Sequence, residues 1–170
     1  MFEIVKLLFD ICLFKKGPQE LPPSVWLLRL LIAANVSVSF LMLSIRTDWF
    51  NSLLQAIVGT LLIVGFSWLM LYLTSKRERF VQTTVTLLGT DALISFFALP
   101  GMASMMVGTG VLLAFVVTIA LMIWHWTVTG HIIRHALGQS WTFSLGLAFL
   151  YILGTYQVMA LLFPDVIGVK

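Results

Sequence analysis

Asp91 is an acidic residue in the middle of a long apolar stretch, residues 80–99. An ionised carboxylate at the centre of a bilayer costs about 2.5–3.5 kcal/mol, so it needs protonation or polar partners. Thr84 and Ser95, seven residues before it and four after it, share its face of a helix. Asp91, Thr84 and Ser95 therefore form a candidate intramembrane polar site. Other spans offer further polar partners: Asn35, Ser37 and Ser39 in the first, Ser67 in the second and Thr118 in the fourth. A helix-packing role is favoured over a proton or ion path, because the sequence shows no second acid or buried base beside Asp91.

Three histidines form the second candidate group. His131 and His135 are four residues apart, so on one helix they face the same way and are candidate ligands of a divalent ion, with His125 nearby. Their neighbourhood supplies no cysteine or acid, and haem ligation by two histidines in a bundle normally uses facing helices. Headgroup contacts are the favoured interpretation. We expect no metal, no cofactor and no catalytic residue, since motifs such as G-x-S-x-G and HExxH do not occur.

The composition of the chain indicates the medium in which it folds. Hydrophobic residues make up 60% of the 170 residues and charged residues 10%, with a mean hydropathy of +1.04. Soluble domains carry about a quarter charged residues. We therefore predict one all-α integral membrane domain over residues 1–170. The net charge of +3 does not indicate nucleic acid, because Lys and Arg stand at the ends of apolar stretches, where they contact lipid headgroups.

Five stretches are long enough to cross the hydrocarbon, which takes about 20 helical residues. The predicted spans are about 25–43, 53–73, 80–99, 107–126 and 141–163. Pro100-Gly101 is expected to end the third span. The fourth continues past residue 126 toward His135, and Gly130, Gly138 and Ser140 leave a longer bent helix as an alternative there.

Residues 1–16 are too short to span and predict an amphipathic helix lying in the membrane interface. Its charged residues recur at helical spacing, and Val5, Leu8, Phe9 and Cys12 fall on another face. The lone Cys12 is interpreted as a small apolar residue on that face, with palmitoylation as the alternative.

Basic residues divide unequally between the two sides of the predicted bundle. One side collects Lys6, Lys15, Lys16, Arg29, Lys76, Arg77, Arg79 and Arg134, and the other collects Arg46 and Lys170. Because basic loops stay in the cytoplasm, this predicts a cytoplasmic N-terminus and a periplasmic C-terminus, in a bacterial inner membrane.

The organisation resembles the Yip1 family of small five-span membrane proteins. The resemblance is carried by Lys15-Lys16-Gly17-Pro18 to Leu21-Pro22, Phe80-Val81-Gln82-Thr83 leading into Leu88-Gly89-Thr90-Asp91-Ala92-Leu93, the Leu99-Pro100 stop, and Trp126 through Gly130 to Arg134-His135-Ala136-Leu137. It implies five spans with the N-terminus in the cytoplasm. Eukaryotic members carry a substantial cytosolic N-terminal region and work with small GTPases. This chain has only a short amphipathic segment there and is similar to the compact bacterial members.

The sequence favours a non-enzymatic scaffold or accessory subunit that contacts membrane lipids and associates with other membrane proteins or with copies of itself. The small loops and the small residues suited to close helix approach support this hypothesis. The alternative is a small proton- or ion-coupled transporter or channel that uses Asp91. A third class, a haem- or quinone-binding redox subunit, depends on the histidines and the tryptophans at span ends.

Overall fold

The computed structural model describes residues 2–108 and 110–164, with only the backbone of Met106; Lys170 lies outside the described residues. Six α-helices follow one another within these described residues. They are α1 Phe2–Cys12, α2 Val25–Ser44, α3 Trp49–Leu73, α4 Phe80–Val107, α5 Val111–Leu137 and α6 Trp141–Leu162. Short 3₁₀ turns at Pro18–Glu20 and Arg77–Arg79 precede α2 and α4, and the described residues contain no strand.

The predicted fold class is confirmed. Five of the six helices, α2 to α6, are long and apolar enough to cross a membrane. Polar side chains begin three of them: Ser24, Asp48 and Ser140 accept hydrogen bonds from backbone N–H groups in the first turns of α2, α3 and α6. Such N-caps satisfy donors that the helix itself leaves unpaired. The chain is therefore a multi-pass membrane protein built as a helical bundle.

The third and fourth spanning helices differ from their predicted bounds. α4 continues through Pro100 to Val107, and α5 runs from Val111 to Leu137. Proline removes one backbone donor but is tolerated in membrane helices, where neighbouring groups compensate. The turn lies instead at Gly108 and Gly110, whose positive φ angles of 75° and 64° suit glycine. The longer bent helix through residue 138 is not observed, because Gly138 has a φ of 63° and ends α5.

α4 lies at the centre of the bundle. Residues 83–90 of α4 are all buried. A helix that is buried on every side lies in the interior of a protein. α4 packs against α1, α2, α3 and α5, while α6 packs against α5 and more lightly against α3. This arrangement places the side chains of α4 within reach of three other spanning helices.

Cations from the α3–α4 loop cap the end of α5. The Lys76 ammonium donates to the carbonyl of Leu137, and Arg79 donates to the carbonyls of His135 and Ala136 at 3.3 and 3.2 Å. A positive charge there offsets the partial negative charge of a helix C-terminus. These contacts bring two basic segments together at one end of the bundle, which we call the basic end.

α1 packs against the middle of α4 and α5, where Leu8 meets Gly89. Leu8, Ile11 and Cys12 are buried against α4 and α5, and the indole N–H of Trp124 donates to the carbonyl of Cys12 at 2.9 Å. Only part of the predicted apolar face of α1 is buried, because Leu8 and Cys12 are buried while Val5 and Phe9 are exposed. The exposed apolar strip is the part of α1 available to lipid, so its position in the membrane interface stays a prediction.

Candidate functional site

The carboxylate of Asp91 has a partner on each oxygen. Oδ1 lies 3.2 Å from Nε2 of His125 on α5, and Oδ2 accepts a hydrogen bond from Nδ2 of Asn35 on α2 at 2.8 Å. Either an imidazolium or a neutral imidazole with its proton on Nε2 can donate to a carboxylate. The expectation that Asp91 lacks a basic partner is therefore wrong. The base comes from a helix distant in sequence, and helix packing alone brings it to the acid.

Asn35 links the pair to the rest of the bundle. Its side chain is 1% exposed, its Nδ2 also donates to the carbonyl of Leu88 at 3.2 Å, and its Oδ1 accepts from the hydroxyl of Thr60 at 2.9 Å. An amide offers two donors and an acceptor, so one residue can join α2, α3 and α4 without an unpaired polar atom. Asn35 thereby fixes the position of the Asp91 carboxylate.

Two cavities meet at Asp91 and His125. The first, of about 200 Å³, is lined by Asn35, Ser39, Met42, Leu43, Gln55, Ala56, Gly59, Ile63, Asp91, Ser95, His125, Tyr151, Ile152, Thr155 and Met159. The second, of about 160 Å³, lies between α4 and α5 and includes Thr118 and Met122. The side chains of His125 and Asp91 keep 29% and 22% of their surface exposed. The pair is therefore reachable from space inside the bundle.

The first cavity extends away from the basic end. Its lining includes Leu43 near the end of α2, Gln55 near the start of α3 and Met159 near the end of α6. Toward the basic end the interior is filled by fully buried side chains, among them Leu88, Val128 and Ile132. The site is thus open in one half of the bundle and packed closed in the other.

Gln55 is a polar residue of this cavity that the sequence analysis did not single out. Its side chain is 5% exposed, and its Nε2 has no hydrogen-bond partner among the described residues. A buried unpaired donor costs about 1–3 kcal/mol. A cavity of this size has room for about seven waters at ~30 Å³ each, or for a small ligand. The sequence does carry one signal that could have identified Gln55, since it is a glutamine within an otherwise apolar predicted span.

The two predicted partners of Asp91 on its own helix lie in different parts of the bundle. Ser95 lines both cavities beside Asp91. Thr84 lies elsewhere, because its hydroxyl is 2.8 Å from that of Ser67 on α3, deep in the packed half. Seven residues correspond to about two turns, or ~10 Å along the axis, which separates Thr84 from the cavity.

The three histidines also lie in two separate places. The rings of His131 and His135 have centroids 4.5 Å apart, and Nε2 of His131 lies 3.0 Å from the carbonyl oxygen of Lys16. Both sit in the last turns of α5 at the basic end, whereas His125 belongs to the Asp91 site. Over residues 2–108 and 110–164, no group of three or more His, Cys, Asp or Glu side chains is arranged to hold a metal ion.

Fold and site together define a multi-pass helical membrane protein with an acid–base pair inside the bundle. Comparison of the chain with protein-family models, curated proteins and solved structures finds no match. The resemblance to the Yip1 family stays a prediction.

Proposed function

We propose that this protein is a small membrane carrier that couples the movement of a solute to protonation of the Asp91–His125 pair. The observation that supports it is the 3.2 Å contact between Oδ1 of Asp91 and Nε2 of His125, beside a cavity whose lining includes the polar residues Asn35 and Gln55. Ionisable side chains inside membrane helices mark ion and proton paths. A carboxylate that only holds helices together needs no adjacent cavity, whereas Asp91 lines two cavities.

The pair changes the charge of the membrane interior by one unit when it binds a proton. Asp91 with neutral His125 carries one negative charge, and the protonated pair is neutral overall. Because burial of an uncompensated charge is costly, the protonated pair and the pair with a bound cation are the two favourable states. Exchange between them is the elementary step of a proton-coupled carrier.

The proposed orientation places the basic end in the cytoplasm of a bacterial cell, with the N-terminus cytoplasmic and the C-terminus periplasmic. It is supported by the clustering of Lys76 and Arg79 on the end of α5 and by the distribution of basic residues in the loops. In this orientation the cavities open toward the periplasmic half. We extend the proposal to kinship with compact bacterial proteins of the Yip1 family.

Protonation of the pair is measurable without knowing the solute. Reconstituted protein on a solid-supported membrane is expected to give a transient current after a pH jump, because a proton moves part of the way across the bilayer. Asp91→Asn is expected to remove about nine-tenths of that charge displacement, because without the Asp91 carboxylate a proton on His125 would leave an uncompensated charge inside the bundle.

Asp48→Asn is the matched control for this measurement. Asp48 caps α3 outside the membrane, where hydrogen bonds from the backbone N–H and then the side chain of Asn51 lower the pKa of its carboxyl. Asparagine caps helices as well as aspartate does. Asp48→Asn should therefore retain the transient current. Equal currents from wild type and a folded Asp91→Asn variant would disprove the proposed function.

A second candidate is an accessory subunit that associates with other membrane proteins or with a second copy. It is favoured by an apolar groove of about 340 Å³ between α3 and α6, lined by Gly65, Leu69, Leu150 and Gly154 among others. A Cβ on Gly65 or Gly154 would meet no atom within 4 Å, so a neighbouring helix can approach closely.

Filling the groove tests this second candidate. Gly154→Leu is expected to dissociate a partner or a homo-oligomer that persists in mild detergent, measured as the protein mass by light scattering after gel filtration. Gly146→Leu is the control, because it lies about 12 Å away on the same helix, outside the groove, and also in open space. A monomer for both variants and wild type would exclude the accessory role.

A further inference from the structure

We propose that the cavity between α4 and α5 binds one Cu⁺ ion through the thioether sulfurs of Met42, Met102 and Met122. Methionine sulfur is a soft, neutral ligand that favours Cu⁺ over hard cations such as Mg²⁺ and Mn²⁺. This inference deepens the proposed function, since it names the solute, and it rests on that function for the movement of the ion. The expectation of no metal considered histidine, cysteine and acidic ligands, and a thioether site lies outside that set.

Methionines from three helices line this cavity. Met42 comes from α2, Met102 from α4 and Met122 from α5, and they share the wall with Asp91 and His125. Each of the three therefore has atoms at the surface of the same space. Methionine usually fills irregular gaps in a core, whereas these three surround a space of about 160 Å³ that stays open.

Helix register brings Met102 and Met122 toward each other. A Cβ on Gly101 would lie 3.9 Å from Oγ1 of Thr118, so these two residues lie at one level of α4 and α5. Met102 is therefore separated from Met122 by five residues of helical rise, about 7.5 Å along the bundle. Side chains of a helix lean toward its N-terminus, and α4 and α5 run in opposite directions. The two methionine side chains consequently lean into the space between them.

Met42 enters the same space from α2. Asn35 and His125 lie at one level of the bundle, since both contact the same carboxylate. Met42 follows Asn35 by seven residues, which is about 10 Å along α2. Met122 lies about 4.5 Å from the level of His125, and Met102 about 7.5 Å further in the same direction. Met42 therefore lies between the levels of the other two methionines, and the three side chains can meet around one ion.

The methionine side chains have the freedom to close around an ion. The cavity is wider than one ion requires, because bonds between a metal ion and sulfur are about 2.3 Å long. Methionine is unbranched and has three rotatable bonds, so its sulfur can move into the cavity. Met42 and Met102 are partly exposed and Met122 is 63% exposed, so none of the three is held in a packed core.

Asp91 supplies the negative charge that a cation in this cavity needs. Thioethers are neutral, so a bound Cu⁺ ion keeps its positive charge, and an uncompensated charge is costly in an apolar interior. The Asp91 carboxylate lies in the wall of the same cavity, beside His125. Because imidazole nitrogen also binds copper, His125 is the next ligand for an ion that leaves the thioethers. The cavity thus leads a soft cation toward the acid–base pair.

Titration of the purified full-length protein with Cu⁺ tests the inference. The protein is kept in mild detergent with ascorbate as reductant, and a coloured Cu⁺ chelator competes for the ion. Wild type is expected to bind one Cu⁺ per chain, and a large excess of Mn²⁺ should not displace it. Met102→Leu should weaken binding at least tenfold, because even residues behind a metal ligand change its affinity by about that factor. Met42→Leu, Met102→Leu and Met122→Leu combined should abolish binding.

Met105→Leu is the matched control. Met105 lies on the same helix as Met102 but does not line the cavity, so this variant should bind Cu⁺ as wild type does. Leucine has nearly the volume of methionine, so all of these variants are expected to fold. An equal loss of affinity in Met105→Leu and Met102→Leu would overturn the inference.

X-ray absorption at the copper edge identifies the ligands on wild type and needs no variant. Sulfur atoms at about 2.3 Å from the copper are the expected result. Nitrogen or oxygen ligands alone, or no binding of Cu⁺, would overturn the inference. Unchanged binding by the combined variant would assign the ion to another sulfur, such as that of Cys12, and would overturn it as well.

The copper site and the carrier function can fail separately, because the pH-jump current is recorded without copper. A wild-type current without Cu⁺ binding would overturn the copper site and leave the carrier function in place. Binding of Cu⁺ to the three methionines without a current would support the copper site and disprove the carrier function.

Discussion

His125→Phe is expected to destabilise the protein by about 3 kcal/mol, the usual cost of removing one partner of a buried charged pair. Phenylalanine fills the space of the imidazole but donates nothing to Oδ1 of Asp91, which lies 3.2 Å from His125 in the wild type. The loss should grow as the pH rises, because Asp91 is then ionised without its partner. At low pH the carboxyl is protonated and neutral, so the loss should shrink.

Thermal unfolding in detergent across a pH series measures this effect. A second substitution in the same chain, Asp91→Asn, should restore most of the stability lost by His125→Phe, since it removes the unpaired charge. His135→Phe is the matched control, because His135 lies at the basic end beside His131, away from the carboxylate. A His125→Phe variant that unfolds at the wild-type temperature at all pH values would show that the pair is not coupled.

Gly89→Leu is expected to displace α1 from the bundle and to expose Cys12. A Cβ at Gly89 would lie 2.7 Å from Cδ2 and 2.8 Å from Cδ1 of Leu8, so a larger side chain cannot fit without moving α1. In the wild type Cys12 is 0% exposed, and burial raises the pKa of its thiol to about 12. The protonated, inaccessible thiol should react with maleimide only after denaturation.

The labelling rate of Cys12 therefore reports whether α1 is docked. Gly89→Leu should increase that rate by at least tenfold, the change that undocking by 1.4 kcal/mol would give. Gly65→Leu is the control, because a side chain at that position meets open space on α3. Fast labelling of folded wild type, or slow labelling of folded Gly89→Leu, would contradict the docking of α1 through Leu8.

The two halves of the bundle have different physical character. Around α1 the interior is apolar and filled, with Leu8, Ile11 and Leu88 in one core. Beyond Asp91 the helices separate around a cavity that is largely apolar and includes the polar residues Asn35 and Gln55. A carrier needs such an asymmetry, because the solute must reach the charged pair from one side while the other side is closed.

The sequence by itself determined the number of spanning helices and most of their bounds. Hydropathy is a local sum over about 20 residues, so it needs no knowledge of neighbouring helices. Ser24, Asp48 and Ser140 begin helices through contacts three residues away, which are equally local. The end of the third span was misjudged, because the effect of Pro100 depends on what compensates the missing donor.

The tertiary structure decided the composition of the site. Spacing along one helix suggested Thr84 and Ser95 as partners of Asp91, yet the polar atoms that contact it belong to Asn35 and His125. Partners 56 residues before and 34 residues after Asp91 depend on the rotation and register of each helix against α4. The helices are apolar over most of their surface, so hydropathy leaves that rotation undefined. Packing and the hydrogen bonds of buried polar groups select it.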